Sequence, residues 1–345
     1  MAGLRYTAIG AAFELLWASQ LPWLVRRLSK AQGVIFTLHR VLPDDPADFS
    51  PNAILQVKPD YLDFVIRRVR KLGLDIIDLD EAIRRIESNE PSGKFVVFTF
   101  DDAYRDNLRF ALPVLRHNQC PFTLYVPTAL VDGVGEVWWQ ALEDIVAGQN
   151  ALAVTDANGE TTYLPSATQD EKNAAYDLLY RRMRAMPEHE RVALIRELAK
   201  QYGFDLERQC RTLIMDWPEL RIFASEQLCT IGAHTVHHYE LAKLPVAEAR
   251  VEIDQSVKII KAQFGKAPVH LSYPIGAASS AGPREFGLAR DLGLRSAVTT
   301  RPGGLYAHHR NSLQALPRVS LNGRFQAKRY VDVFATPALF SIAKV

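Results

Sequence analysis

The stretch Lys94 to Asp102, KFVVFTFDD, most constrains what this chain can fold into. It is a short, almost wholly apolar run of β-formers, bounded upstream by the turn residues Pro91-Ser92-Gly93 and ending in two adjacent carboxylates. A run of this kind reads as a strand buried on both faces, as in a parallel sheet covered by helices. Its last residues then lie at a C-terminal strand edge, where α/β folds place ligands and catalytic groups. Two neighbouring carboxylates repel, so Asp101 and Asp102 need a cation or donors that neutralise one of them.

A second strand-like run, Leu228 to Ile231, leads through Gly232-Ala233 into His234-Thr235-Val236-His237-His238. His234 and His238 are four apart, a spacing that puts two imidazoles on one face of a helical turn. One Asp and two His leave coordination positions open for water and substrate, as a hydrolytic metal site requires. The plainer alternative makes the Asp pair a helix N-cap and the histidines surface residues. Against it, both motifs terminate strand-like runs.

With both motifs in view, the chain resembles the polysaccharide deacetylases of the NodB-homology type, carbohydrate esterase family 4. The family's TFDDG motif is similar to Thr99-Phe100-Asp101-Asp102-Ala103, and its H[ST]xxH motif to His234-Thr235-Val236-His237-His238. The resemblance implies Asp101 as catalytic base, and Asp102, His234 and His238 as ligands of a divalent metal, usually Zn2+. It implies a distorted (β/α) barrel and removal of N-acetyl groups from N-acetylglucosamine-type sugars in an oligo- or polysaccharide, a lipid-linked one if the N-terminal helix meets a membrane.

The chain departs from the family pattern in three places. The late segment Leu316-Pro317-Arg318 lacks the usual general-acid His. Members with a permuted arrangement take that His from an early strand, and Thr37-Leu38-His39 is similar to theirs, which makes His39 the expected acid and His308 or His309 the substitutes. Ser272-Tyr273-Pro274-Ile275-Gly276 stands where the family has RxPYG. Ile275 then supplies the oxyanion-binding backbone N–H. Ser272 stands in place of the Arg that braces the base, and Arg318, with Arg301 second, is the expected replacement. Ala103 stands where the family has Gly, at a cost if the backbone there needs a positive φ.

At 345 residues and 48% hydrophobic content the chain is long enough for one large barrel with additions. Its 41 basic and 39 acidic residues, net +2, give no argument for a nucleic-acid partner. Cys120, Cys210 and Cys229 show no metal-binding spacing. Helix and strand signals alternate through Lys58–Leu72 (helix), Asp75–Leu79 (strand), Asp80–Glu87 (helix), Tyr104–Asn118 (helix) and Pro121–Val126 (strand), as parallel βαβ units require. Later come the helix Pro245–Phe264 and the strands Val269–Ser272 and Ala315–Leu321.

The expected organisation is an N-terminal helical segment 1–30, a barrel made of 31–135 and 226–322, a helical insertion 136–225 and a C-terminal tail 323–345. Trp138, Trp139 and Tyr163 of the insertion are read either as sugar-stacking groups or as core. The broken apolar stretch Ala8–Val25, with Trp17, Trp23 and Arg26-Arg27, is read as a helix packed on the barrel or an interfacial helix giving peripheral membrane contact. The expected location is cytoplasmic, with membrane association open. Three functions compete: the N-deacetylase, a same-fold hydrolase of a non-sugar C–N bond, and a non-catalytic glycan-binding descendant.

Overall fold

A computed structural model describes residues 2–88, 93–155 and 160–342. The turn residues Pro91 and Ser92 and part of the polar stretch 150–166 lie outside them. The barrel strands are β1 Gly33–Leu38, β2 Asp75–Ile76, β3 Phe95–Phe100, β4 Phe122–Val126, β5 Cys229–Ala233, β6 His270–Ser272, β7 Ser296–Val298 and β8 Val319–Ser320. All pair in parallel: β1 lies between β8 and β3, β2 and β4 share the other side of β3, and β5, β6 and β7 follow β4. The sheet curls until its edges meet, because Leu316 bridges Val298 of β7 while Val319 and Ser320 pair with Phe36 and Thr37 of β1.

Parallel strands need helices on the outer face, and the sequence supplies them. The helix Pro59–Lys71 opens on proline, presents Leu62, Val65, Ile66 and Val69 to the core, and ends before Gly73 at φ +72°. The helix Leu79–Glu87 is capped by Asp78, whose carboxylate accepts from Glu81 N–H at 2.7 Å. The strand expected over Asp75–Leu79 is therefore cut to Asp75–Ile76.

Three expectations need correction. The segment Tyr104–Asn118 is not one regular helix: Asn107–Ala111 winds as a π turn before the α-helix Leu112–His117. Pro113 has no N–H for the carbonyl of Arg109, so the ladder is broken there anyway. The late strand is Val319–Ser320 rather than Ala315–Leu321, since Leu313–Ala315 closes a 3₁₀ turn and Pro317 cannot donate. The insertion is helical over Trp138–Ala147, Gln169–Ala185, Glu188–Gln201, Leu206–Leu213 and Trp217–Ala224, but it also holds an antiparallel hairpin, Ala151–Thr155 with Thr161–Pro165. There Leu152 and Val154 are buried, while Ala151 and Thr155 are exposed and Ala153 is half-buried.

The two ends of the chain pack together. The first helix, Ala2–Ala18, sets Phe13 among Phe325, Tyr330 and Phe334, with ring centroids 5.1–5.4 Å apart. The described part of 323–345 is thus a packed segment rather than a free tail.

At the N-terminal strand edge, buried His270 places Nε2 3.3 Å from Asp80 Oδ1, and Arg295 donates to the same oxygen at 2.7 Å. His270 first, with burial opposing and Arg295 assisting, lowers the Asp80 carboxyl to about 2. A depressed folded-state pKa means this stabilisation is present above the unfolded value of about 4 and is lost as pH falls towards 2. Urea midpoints measured from pH 7 to 2 should show the wild type more stable than Asp80→Asn at neutral pH and the two converging near pH 2. A constant difference would contradict the assignment.

Candidate active site

The site is built at the C-terminal ends of β1, β3, β5 and β6. Asp101 continues the β1–β3 ladder, its N–H donating to Leu38 O at 3.0 Å. Its carboxylate, almost fully buried, is gripped by Arg318, with Nη1 to Oδ1 at 2.8 Å and Nη2 to Oδ2 at 2.7 Å. Arg318 also donates to Thr99 Oγ1 at 3.1 Å, Thr299 O at 2.9 Å and Ser272 Oγ at 3.0 Å, and Ser272 Oγ donates to Asp101 Oδ2 at 3.2 Å. Arg318 thus occupies the bracing role that Ser272 cannot fill, and Ser272 becomes a bridge within the same network. Arg301 lies elsewhere, donating to Ala281 O and resting on the Phe286 ring. Burial alone would raise the Asp101 carboxyl; the Arg318 guanidinium outweighs it and holds the group ionised.

Asp102 Oδ1 faces His238 Nε2 at 3.2 Å and His234 Nε2 at 3.4 Å, and the three ligand atoms all lie within 4.8 Å of one another. Burial raises the Asp102 carboxyl, but His238 and His234 hold it well below the usual carboxylate range. Asp102 Oδ1 is buried without a hydrogen-bond partner. His234 Nδ1 lies 2.7 Å from Ser272 O, so its proton belongs there and the Nε2 lone pair points at Asp102. An orphaned carboxylate oxygen and two imidazole nitrogens converging in a dry site fit a divalent cation, and these are the residues that would hold it.

The two histidines do not sit on a helical turn. The chain leaves β5 as a tight loop in which Thr235 and His238 have φ +62° and +59°. Glu252, on the helix Val246–Phe264, ties this loop down: its Oε2 accepts from Val236 N–H at 3.1 Å and His237 N–H at 2.9 Å, and its Oε1 meets His237 Nδ1 at 2.6 Å. The sequence carries no signal for Glu252 beyond its place on an amphipathic helix.

His39 follows β1, half-buried, and lines the same cleft as the two aspartates. Burial lowers its pKa, with Asp102 and Asp101 opposing. The π turn after the Asp pair holds its backbone: Asn107 Nδ2 donates to His39 O at 3.0 Å, and Asp106 accepts from Arg40 Nε and Val41 N–H, both at 2.9 Å. His308 and His309 cannot replace it. They stack on Tyr306, one residue from Leu305, which pairs with Gly33 at the start of β1, so they lie at the opposite end of the strands.

Ile275 lines the cleft at φ +61°, a position a β-branched residue rarely accepts. Gly276 N–H donates to Pro274 O at 2.6 Å, while Thr300 donates through Oγ1 to Ile275 O at 2.6 Å and through N–H to Gly276 O at 3.1 Å. Among the described residues the Ile275 N–H has no acceptor.

The "Polysaccharide deacetylase" family model matches residues 170–297, which include His234, His238, Ser272 and Ile275. That stretch is similar to a polysaccharide deacetylase domain, a family of hydrolases that act on carbon–nitrogen bonds other than peptide bonds. The deacetylase fold recurs in solved structures. The Streptococcus pyogenes deacetylase PplD, in complex with acetate, superposes with TM-score 0.59 at 16% identity, covering 89% of this chain and 99% of that one. IcaB from Ammonifex degensii gives 0.54 at 18%, covering 89% and 97%. The deacetylase domain of BpsB from Bordetella bronchiseptica gives 0.51 at 15%, covering 85% and 96%. No curated protein matches the chain.

The cleft has an empty volume of about 550 Å³, counting the part open to solvent. The barrel provides its floor, and its walls come from elsewhere: Asn52, Ile54 and Leu55 from the loop after β1, and Trp138, Trp139 and Tyr180 from the insertion. Trp139 lies with its ring centroid 4.8 Å from that of His238 and donates through Nε1 to Tyr104 OH at 2.9 Å. Trp138 stacks on Tyr180 at 5.3 Å. The two tryptophans are thus both largely buried and cleft-lining, whereas Tyr163 projects from the hairpin, 75% exposed, and is not a cleft residue. Sequence reasoning missed Asn52, Tyr180 and Thr300, which carry no motif.

Ala103 has φ +57° and is fully buried, and its carbonyl accepts from Met215 N–H at 3.0 Å. Ala103→Gly should therefore raise the unfolding free energy by about 0.5–1 kcal/mol in denaturant titrations; a loss of stability would show that the methyl's packing outweighs the backbone strain. Arg318→Met leaves the Asp101 charge buried and unpaired, and should cost about 3–5 kcal/mol or prevent folding. A cost below about 1 kcal/mol would refute the pairing.

Proposed function

We propose that this deacetylase domain removes N-acetyl groups from N-acetylglucosamine-type residues of an oligo- or polysaccharide, free or lipid-linked, with a bound divalent cation, Zn2+ by the donor set. The observation that carries the reading is the placement of a buried, ionised Asp101 beside the Asp102–His234–His238 cluster and His39 in one cleft. The N-terminal helix pair, with its exposed tryptophans, supports peripheral membrane contact as part of the same reading.

When bound, the cation supplies Lewis-acid polarisation of the acetamide carbonyl and a lower pKa for a neighbouring water. The chain's own residues account for the rest. Asp101 accepts the proton of the attacking water on its carboxylate, which Arg318 keeps ionised and oriented. The free N–H of Ile275 donates to the oxygen that gains charge as the carbonyl carbon becomes tetrahedral; the Thr300 contacts fix its direction. His39 delivers a proton to the departing nitrogen, since expulsion of an anionic amide nitrogen would be prohibitive. Trp139 and Trp138 restrict water around the reacting group. Acetate and a glucosamine-type residue are the products.

The test is acetate release from N-acetylglucosamine oligomers after metal loading, with metal content assayed on each protein. Asp101→Asn and His39→Ala should retain metal and lose about 10²–10⁴-fold in rate, whereas His234→Ala should lose the metal as well. An active His39→Ala would remove that residue from the mechanism. A metal-loaded wild type that releases no acetate would leave the non-sugar hydrolase or the glycan-binding descendant in its place.

A further inference from the structure

The N-terminal helix pair exposes a run of large apolar side chains. Ala2–Ala18 and Leu21–Leu28 meet at 76° through Gln20 at φ +56°, and among the described residues no single helix is long and apolar enough to cross a membrane. Across the bend Leu15, Trp17, Leu21, Trp23, Leu24 and Leu28 are exposed, Trp23 at 57% and Leu28 at 72%. The second helix exposes Leu21, Trp23, Leu24 and Leu28 beside Arg27, which lies over the Trp23 ring, and a tryptophan–leucine–arginine grouping of this kind belongs at a water–lipid boundary.

Beside it lies a basin of about 720 Å³, counting the part open to solvent, between Trp17 and the last turns of the helix Pro59–Lys71. Five cations line it: Arg67, Arg68, Lys71, Lys328 and Arg329. Asp63, Asp332 and Glu14 pair with three of these, Arg67, Arg68 and Arg329 respectively. Lys71 and Lys328 have no ion-pair partner among the described residues, and Lys328 sits over the Phe64 ring at 5.2 Å. On the second helix Arg27, over the Trp23 ring at 5.8 Å, is a further cation with no ion-pair partner among the described residues. Proximity to a helix C-terminus accounts for cations on Pro59–Lys71 alone. It does not account for Lys328 and Arg329, which arrive from a separate segment, or for Trp17 at the rim.

We propose, resting on the membrane-contact reading above, that this basin seats the phosphate of an anionic phospholipid while Trp17, Trp23 and the neighbouring leucines enter the interface. Five cations outnumber the one carboxylate, Asp332, in the lining of the seat, and Trp17 and Phe64 flank it, an arrangement complementary to an acidic headgroup above its acyl chains. The orientation follows. The helix Pro59–Lys71 descends from the cleft end of the barrel towards the start of β2, and Lys94, at the foot of β3, donates to Ser29 O at 2.7 Å just past the second helix. The anchoring surface thus lies towards the N-terminal strand edge, and the catalytic cleft opens away from the bilayer.

Flotation of the full chain with vesicles of phosphatidylcholine, alone or with about a third phosphatidylglycerol, tests this. Binding should favour the anionic vesicles, weaken as salt is raised from 50 to 500 mM as order-of-magnitude settings, and survive millimolar inorganic phosphate. Lys71→Glu/Lys328→Glu should lower anionic-vesicle binding at least ~10-fold, and Trp17→Ser/Trp23→Ser should lower binding to any vesicle, both with unchanged circular dichroism and unchanged acetate release from soluble oligomers. Equal binding to neutral and anionic vesicles would overturn the headgroup seat alone. No binding to either would overturn the membrane contact too, and a dimer in light scattering that the tryptophan variant dissociates would assign the surface to a second copy instead.

Discussion

The buried pair of Asp101 and Arg318 is the interaction on which the rest of the site depends. Removing two charges from water is costly, and the Coulombic return suffices only when every remaining donor is satisfied. Here the guanidinium is engaged by Asp101, Thr99, Ser272 and Thr299. These partners belong to the ends of β3, β6 and β7, while Arg318 itself enters β8, the strand that joins the two edges of the sheet. Closing the barrel and holding a carboxylate ionised in a dry environment are therefore achieved by one contact. A carboxylate so placed stays ionised and fixed in direction, and its lowered pKa makes it a weaker proton acceptor than an unpaired buried carboxylate would be.

Strain is concentrated in the same place. Of the non-glycine residues with positive φ, Asp102, Ala103, Thr235, His238 and Ile275 all lie in loops after β3, β5 and β6. Such conformations persist only where their surroundings over-determine them. Each loop has its clamp: Met215 N–H on Ala103 O, Glu252 on the loop between the two histidines, Thr300 on Ile275 and Gly276. The sharp turns allow residues adjacent in sequence to take different tasks, Asp101 meeting an arginine and Asp102 two histidines. A relaxed extended or helical backbone would keep fixed directions between neighbours.

The catalytic floor was legible in the sequence because strand-end motifs are local. KFVVFTFDD signals both a buried parallel strand and the carboxylates at its end, and the same logic places His234 after β5 and His39 after β1. Even Arg318, with no motif of its own, was reachable by asking what replaces a missing charge at Ser272. What failed was geometry set by contacts distant in sequence. The spacing of His234 and His238 suits a helical turn, but Glu252 and Thr235 fold it into a strained loop. Lone histidines such as His308 and His309 carry no sign of which end of the barrel they occupy; only the pairing of Leu305 with Gly33 decides it. The hairpin in the insertion was lost because its alternation is short and its connection polar.

The cleft walls divide the labour of the molecule differently from its floor. Asn52 spans the gap between the loop after β1 and the insertion: its N–H donates to Glu143 at 2.7 Å, its Nδ2 to Trp139 O at 2.8 Å, and its Oδ1 accepts from Tyr176 OH at 2.9 Å. Tyr176 stacks on Tyr180 and Tyr180 on Trp138, so a continuous aromatic row runs from that clamp to the cleft. None of these groups belongs to the barrel, and none is required for the ionisation of Asp101 or the convergence on Asp102. Rigid strand ends thus fix the residues of the site, while two long excursions of the chain, locked to each other through Asn52, shape the approach to them. Sequence change can accumulate in the excursions without disturbing the floor, consistent with a fold held in common at 15–18% identity with the deacetylase structures.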